Sequence, residues 1–136
     1  MNNNIILALA LAVLVVLAWR FWEPFTNPPK REVPTGKARI YFFYTNWCGF
    51  SKKAMPEWEA LETKLRETPV FGTTTVEAVR IDADTDRPTT ALYDVKGYPT
   101  IILETSTELK DYTGARTVDG LMQFLRQTFG KESGSL

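Results

Sequence analysis

Residues 5–19 read IILALALAVLVVLAW, with no polar side chain on any face. A helix that is apolar all round has no face to offer water, so it belongs in a membrane or a large core. Extended through Arg20, Phe21 and Trp22, the run has 18 residues. That is roughly 27 Å of helix, against a hydrocarbon core of about 30 Å. Arg20 stands at the end, where its long stem can carry the charge out to the headgroups. Trp19, Phe21, Trp22 and Phe25 form an aromatic belt. Residues 1–22 are therefore expected to be a membrane segment in which 5–22 span. The competing reading is a cleaved signal peptide, because Val16-Leu17-Ala18 offers acceptable residues before a cut. Against it, Asn2, Asn3 and Asn4 give no positive n-region, and aromatic residues follow the cut directly. Arg20, Lys30, Arg31, Lys37 and Arg39 all follow the span, and this bias places the rest of the chain on the cytoplasmic side.

The whole chain holds one cysteine and no histidine. One cysteine excludes an internal disulfide, and without histidine there is no Cys/His zinc site, no Ser-His or Cys-His pair and no imidazole base. Lys and Arg number 16, as do Asp and Glu, which leaves no basic field for nucleic acid. Asp82, Asp84 and Asp86 have calcium-loop spacing, but Arg87 stands where that loop needs glycine and Tyr93 where it needs a bidentate acid. They read as a solvated turn with an acid capping the next helix. No metal or cofactor is expected.

Residues 23–37, with Pro24, Pro28, Pro29, Pro34 and Gly36, read as an extended linker that cannot be helical. Residues 38–130 then read as one small α/β domain, and the polar tail 131–136 as disordered. Ile40 to Tyr44 is an apolar run without alternation, as in a strand buried on both faces. Lys52 to Glu67 carries Trp58, Leu61 and Leu65 on one helical stripe, with Pro56 inside it. Val76 to Ile81 alternates as a strand does, and Thr89 to Val95 fits a short helix. Thr100 to Leu103 and Glu108 to Tyr112 read as two strands. Val118, Leu121, Met122, Leu125 and Phe129 form the stripe of a last amphipathic helix. The expected order is βαβαββα.

Trp47-Cys48-Gly49-Phe50-Ser51-Lys52 falls at the first strand-to-helix turn. A thiol there meets the positive end of the helix dipole and free N–H groups, which favour the thiolate. Position alone leaves a buried, inert cysteine equally open. The chain from about Ala38 to Phe129 resembles the thioredoxin superfamily, and within it the protein disulfide isomerase type of domain. The resemblance rests on WCGFSK at Trp47 to Lys52, on Pro56, on Val95 to Thr100 with Tyr98-Pro99, and on Tyr112-Thr113-Gly114-Ala115-Arg116. It implies a thioredoxin fold, with a central mixed sheet and flanking helices. The fold should be trimmed, because too little chain precedes Ile40 for the usual N-terminal strand and helix. It further implies that Pro99 is a cis-proline presenting a bound peptide's backbone, with Cys48 the attacking thiol and Trp47 beside it.

Three departures bear on mechanism. Ser51 stands where the family has its second, resolving cysteine, and a serine cannot expel a bound product. Phe42 stands where a buried carboxylate normally assists proton transfer. Arg80 stands where a lysine normally pairs with that acid, and arginine stays protonated. All three affect release, not attack. The expectation is a membrane-anchored protein in which Cys48 and the Pro99 edge form mixed disulfides with a protein client or glutathione, with at most weak oxidoreductase activity. The second reading is a non-catalytic structural or adaptor protein of a larger assembly, such as a virion or membrane complex. A third is iron–sulfur binding like that of the CGFS monothiol glutaredoxins, which Trp47, Tyr98-Pro99 and the lack of a Gly-Gly-Asp site oppose. The family's habit of an oxidising lumen conflicts with the charge bias, so the side of the membrane stays open.

Overall fold

The computed structural model describes residues 2–26 and 31–133, and the chain divides into two units, Met1–Lys30 and Arg31–Leu136. The first contains one helix, α1 (Asn3–Thr26), whose side chains from Asn3 to Arg20 are all exposed. It is long and apolar enough to cross a membrane, a property that a signal sequence shares. The linker expectation is corrected at both ends. Residues Glu23–Thr26 continue the helix. Pro24 falls in its last turn, where it removes one backbone bond and little helix remains to be broken. Arg31–Gly36 belongs to the second unit: Val33 is buried, Arg39 donates to the Glu32 carbonyl at 3.4 Å, and the Lys37 N–H donates to Pro34 at 3.0 Å. Residues 27–30 of the expected linker lie outside the described residues.

The second unit runs β1 (Lys37–Tyr44), α2 (Gly49–Glu67), β2 (Val70–Phe71), β3 (Thr74–Asp82), α3 (Arg87–Leu92), β4 (Thr100–Thr105), β5 (Leu109–Asp111) and α4 (Val118–Phe129). The sheet order is β2-β3-β1-β4-β5. β1 is parallel to β3 and antiparallel to β4, which makes the sheet mixed. Since β1 is central, both its faces are covered. Ile40 and Phe42 enter one core with Trp58, Leu61, Leu103, Leu121 and Leu125, while Tyr41 and Phe43 enter a second with Tyr93 and Ile102. Each such aliphatic or aromatic side chain contributes about 1.5–3 kcal/mol on full burial. Among the described residues no strand precedes β1.

The expected elements are present, with one addition. β2 pairs Val70 with Thr75 and Phe71 with Thr74 through a turn at Gly72. It also holds residues 131–133, which corrects the reading of that part of the tail as disordered. The Gly72 N–H donates to the Lys131 carbonyl and the Ser133 N–H to Val70, both at 2.9 Å, and Arg126 forms an ion pair with Glu132. Residues 134–136 lie outside the described residues. Gly72 has φ +57°, and a Cβ built there would stand 2.3 Å from the Phe129 carbonyl oxygen. Gly72→Ala is therefore expected to destabilise the domain by about 1–3 kcal/mol, visible as a Tm about 4–8 °C lower per kcal/mol. An unchanged Tm would mean that the hairpin and the end of α4 are not packed as described.

Candidate functional site

The site is built where β1 stops and α2 starts. Cys48 is the N-cap residue of α2, with φ −81° and ψ 120°, and its side chain makes no capping bond. Cys48 is partly exposed, and its sulfur, as a neutral thiol, donates to the Tyr98 carbonyl at 3.5 Å. The peptide bond from Tyr98 to Pro99 is cis, and Pro99 is buried. The Ser51 N–H, then the Ser51 hydroxyl and the Phe50 N–H, favour the thiolate over the thiol, and Arg116 adds a positive charge. Together these hold the Cys48 pKa below the ordinary thiol range, against the opposing effect of desolvation.

Trp47 is 68 % exposed and Phe50 71 %, so two large apolar side chains stand in water on either side of the thiol. Trp47 meets Tyr98 edge-on at 6.2 Å and donates through Nε1 to Asp84 at 3.3 Å. Asp82 accepts from Asn46 at 2.9 Å and from the Asp84 N–H at 3.0 Å, while Asp86 caps α3 through the Thr89 N–H. Of the aspartates that mimic a calcium loop, Asp86 thus caps a helix, as expected, while Asp82 and Asp84 hold the loop that carries Trp47. A cleft of about 480 Å3 opens on the other side, between Phe50, Lys53 and Glu57 of α2 and the turn at Ala115-Arg116. Tyr112 holds that turn by donating to the Ala115 carbonyl at 2.6 Å.

The structure brings Trp47, Cys48, Ser51 and Pro99 together. Sequence reasoning missed Phe50 and Arg116. Phe50 was open to view inside the WCGFSK string. Arg116 stands in the Tyr112–Arg116 string, but nothing in the sequence places that string beside Cys48. The long-range turn supplies Arg116.

The release half of the site is filled with packing. Ser51 is fully buried, and its Oγ accepts from the Thr45 N–H at 3.4 Å. Phe42 is fully buried and stacks on Trp58 at 5.0 Å and on Tyr44 at 5.7 Å. Arg80 lies opposite Phe42 in the β1–β3 register and is held by Glu62 at 2.8 Å and Glu59 at 3.4 Å, on α2. No ionisable side chain occupies position 42 to move a proton towards residue 51.

A parallel–antiparallel sheet with a cysteine capping the first helix and a cis-proline facing its sulfur defines a thioredoxin-type domain. The Thioredoxin family profile matches residues 30–127, and the chain belongs to that family. It is similar to protein disulfide-isomerase 1 of Dictyostelium discoideum, 39 % identical over 84 residues that cover 61 % of this chain and 23 % of that protein. It is also similar to protein disulfide isomerase-like 2-2 of rice, at 30 % identity over 91 % of this chain and 36 % of the relative. The chain thus spans about a quarter to a third of these curated relatives. Among solved structures, the first thioredoxin domain of mouse protein disulfide-isomerase A4 superposes with a TM-score of 0.58 at 26 % identity, covering 73 % of this chain and 66 % of that one. Human ERp44 in a zinc-bound form gives 0.57 at 28 % identity, over 66 % of this chain and 26 % of that one. The protein is therefore a thioredoxin-like, protein disulfide isomerase-related chain with a single cysteine.

Proposed function

We propose that this protein is a membrane-anchored capture protein that forms mixed disulfides through Cys48 and does not turn over alone. The observation that carries this reading is a partly exposed cysteine whose thiolate is favoured, one helical turn from a buried serine. In the capture step the Cys48 thiolate attacks one sulfur of a client disulfide. That S–S bond breaks, a Cys48–client S–S bond forms, and the client's other sulfur leaves as a thiolate. Release needs an external thiol, which attacks the mixed disulfide and returns the Cys48 thiolate. Trp47 and Phe50 supply apolar contact for the client, and the backbone before Pro99 faces it. The length and exposure of α1 support the anchor.

The test uses full-length protein in its membrane, incubated with glutathione disulfide and then with dithiothreitol. One glutathione per chain is expected, removed by the reductant and absent in Cys48→Ser, with the protein staying in the carbonate pellet. No adduct on the folded chain would overturn capture. Recovery in the carbonate supernatant, or a mature terminus at Trp19, would overturn the anchor. The packing of Phe42 and Ser51 favours a second reading, a structural adaptor on the same fold. An adaptor predicts a thiol inert towards glutathione disulfide.

A further inference from the structure

β3 has a partner along its whole length on one side only. On the other, β2 reaches just Thr74 and Thr75, and the Val76 N–H donates to the Pro69 carbonyl at 2.7 Å. Beyond Val76 no strand pairs with that edge among the described residues. Backbone groups alternate sides along a strand, so the amides of Ala78 and Arg80 point outward as that of Val76 does. The burial pattern agrees: from Glu77 to Asp82 no residue of β3 is buried, whereas four successive residues of β4 are.

An open edge is normally blunted by charged side chains standing over it. Here those charges are drawn aside. Arg80 is held onto α2 by Glu62 and Glu59, and Glu77 is held onto β1 by Arg39 at 3.2 Å. Beside the edge lies a groove of about 700 Å3 with Ala78 and Arg80 in its lining, together with the apolar Ala38, Leu65 and Val76. Once the ion pairs are formed, its remaining charges are Lys37 and Arg66, which have no acidic partner among the described residues. Among the described residues the groove thus combines unpaired backbone donors and acceptors, a partly apolar lining and two cations without an acidic partner.

We propose that the outer edge of β3 is a docking site for an extended acidic peptide segment of a partner protein, which adds to the sheet as a further strand. Main-chain bonds to Ala78 and Arg80 give affinity, alternate apolar side chains cover the floor, and the acidic ones meet Lys37 and Arg66. This surface is distinct from the thiol site and does not depend on Cys48.

The test is amide hydrogen exchange of the full-length chain in detergent micelles. A short peptide of alternating valine and glutamate is added, with a valine–lysine peptide as control. The acidic peptide is expected to slow exchange at Ala78 and Arg80 by at least about tenfold, while the lysine peptide leaves it unchanged. Lys37→Glu combined with Arg66→Glu alters two surface charges and should reverse the preference. Ala78→Pro removes the outward N–H and should abolish protection. Equal protection by both peptides would overturn the proposal. So would protection without peptide that grows with protein concentration, which would assign the edge to a second copy, or that is independent of it, which would assign the edge to the chain itself.

Discussion

Ser51→Cys is expected to turn a protein that captures clients into one that releases them. Residues 48 and 51 lie one helical turn apart at the start of α2, and the Ser51 N–H and hydroxyl favour the Cys48 thiolate. A thiol at position 51 is therefore placed to attack a Cys48–client disulfide, freeing the client's thiol and leaving a 48–51 disulfide. Native protein should show background insulin reduction with dithiothreitol, and Ser51→Cys a gain of at least about tenfold. Mass spectrometry of the oxidised variant should find a mass lower by two hydrogen atoms, consistent with one internal disulfide. The gain stays partial, because Phe42 offers no carboxylate for proton transfer. Adding Phe42→Glu should raise turnover further at a cost in stability, since an acid there displaces the ring stacked on Trp58. A Ser51→Cys protein with neither turnover nor a 48–51 disulfide would contradict the geometry assigned to the site.

Phe42→Ala is expected to be the most damaging simple truncation at the site. The ring is fully buried on the central strand and stacked against both Trp58 and Tyr44. Removing it leaves a cavity between β1 and α2, at about 3–5 kcal/mol. Global stability of a domain this size is typically about 5–15 kcal/mol, so the variant should sit near the edge of folding. Urea unfolding should show a lower midpoint at an unchanged slope. A loss under about 1 kcal/mol would mean that the site collapses freely around the missing ring and that Phe42 is no packing substitute for an acid.

The two faces of the domain were legible because apolar period and burial coincide. Ile40 to Tyr44 has no alternation and lies in the middle of the sheet, and the stripe Leu121, Met122, Leu125 faces the core. β2 was not legible, because two residues have no period, and Val70-Phe71 is a strand only by virtue of Thr74 and Thr75 opposite. The tail misled for a related reason. Lys131 to Ser133 is polar, but its order comes from backbone bonds to Val70 and Gly72 and from the Arg126–Glu132 pair, none of which composition records. Pro24 misled in the other direction, because the helix runs on through it to Thr26 and a proline does not by itself exclude helix. At the site, Cys48, Ser51 and Pro99 were found through the family resemblance, whereas Arg116 enters through a turn sixty-eight residues away from the thiol (116 − 48). The open edge on β3 was not legible either, because it is defined by the sheet order and not by any local pattern.

Whether Cys48 is a working thiol is decided by the pH dependence of its alkylation by iodoacetamide. The measurement is made on the full-length folded protein and again on the urea-unfolded chain, where an ordinary thiol titrates near about 8.5. The rate follows the thiolate fraction. With the helix N-terminal N–H groups, the Ser51 hydroxyl and Arg116 all favouring the anion, the folded profile is predicted to reach half its maximum at a lower pH than the unfolded one. The linked stability has the matching sign: it is fully present above the unfolded-state pKa and is lost as pH falls through the folded one. A folded profile at or above the unfolded one, or a thiol alkylated only after unfolding, would contradict the capture function.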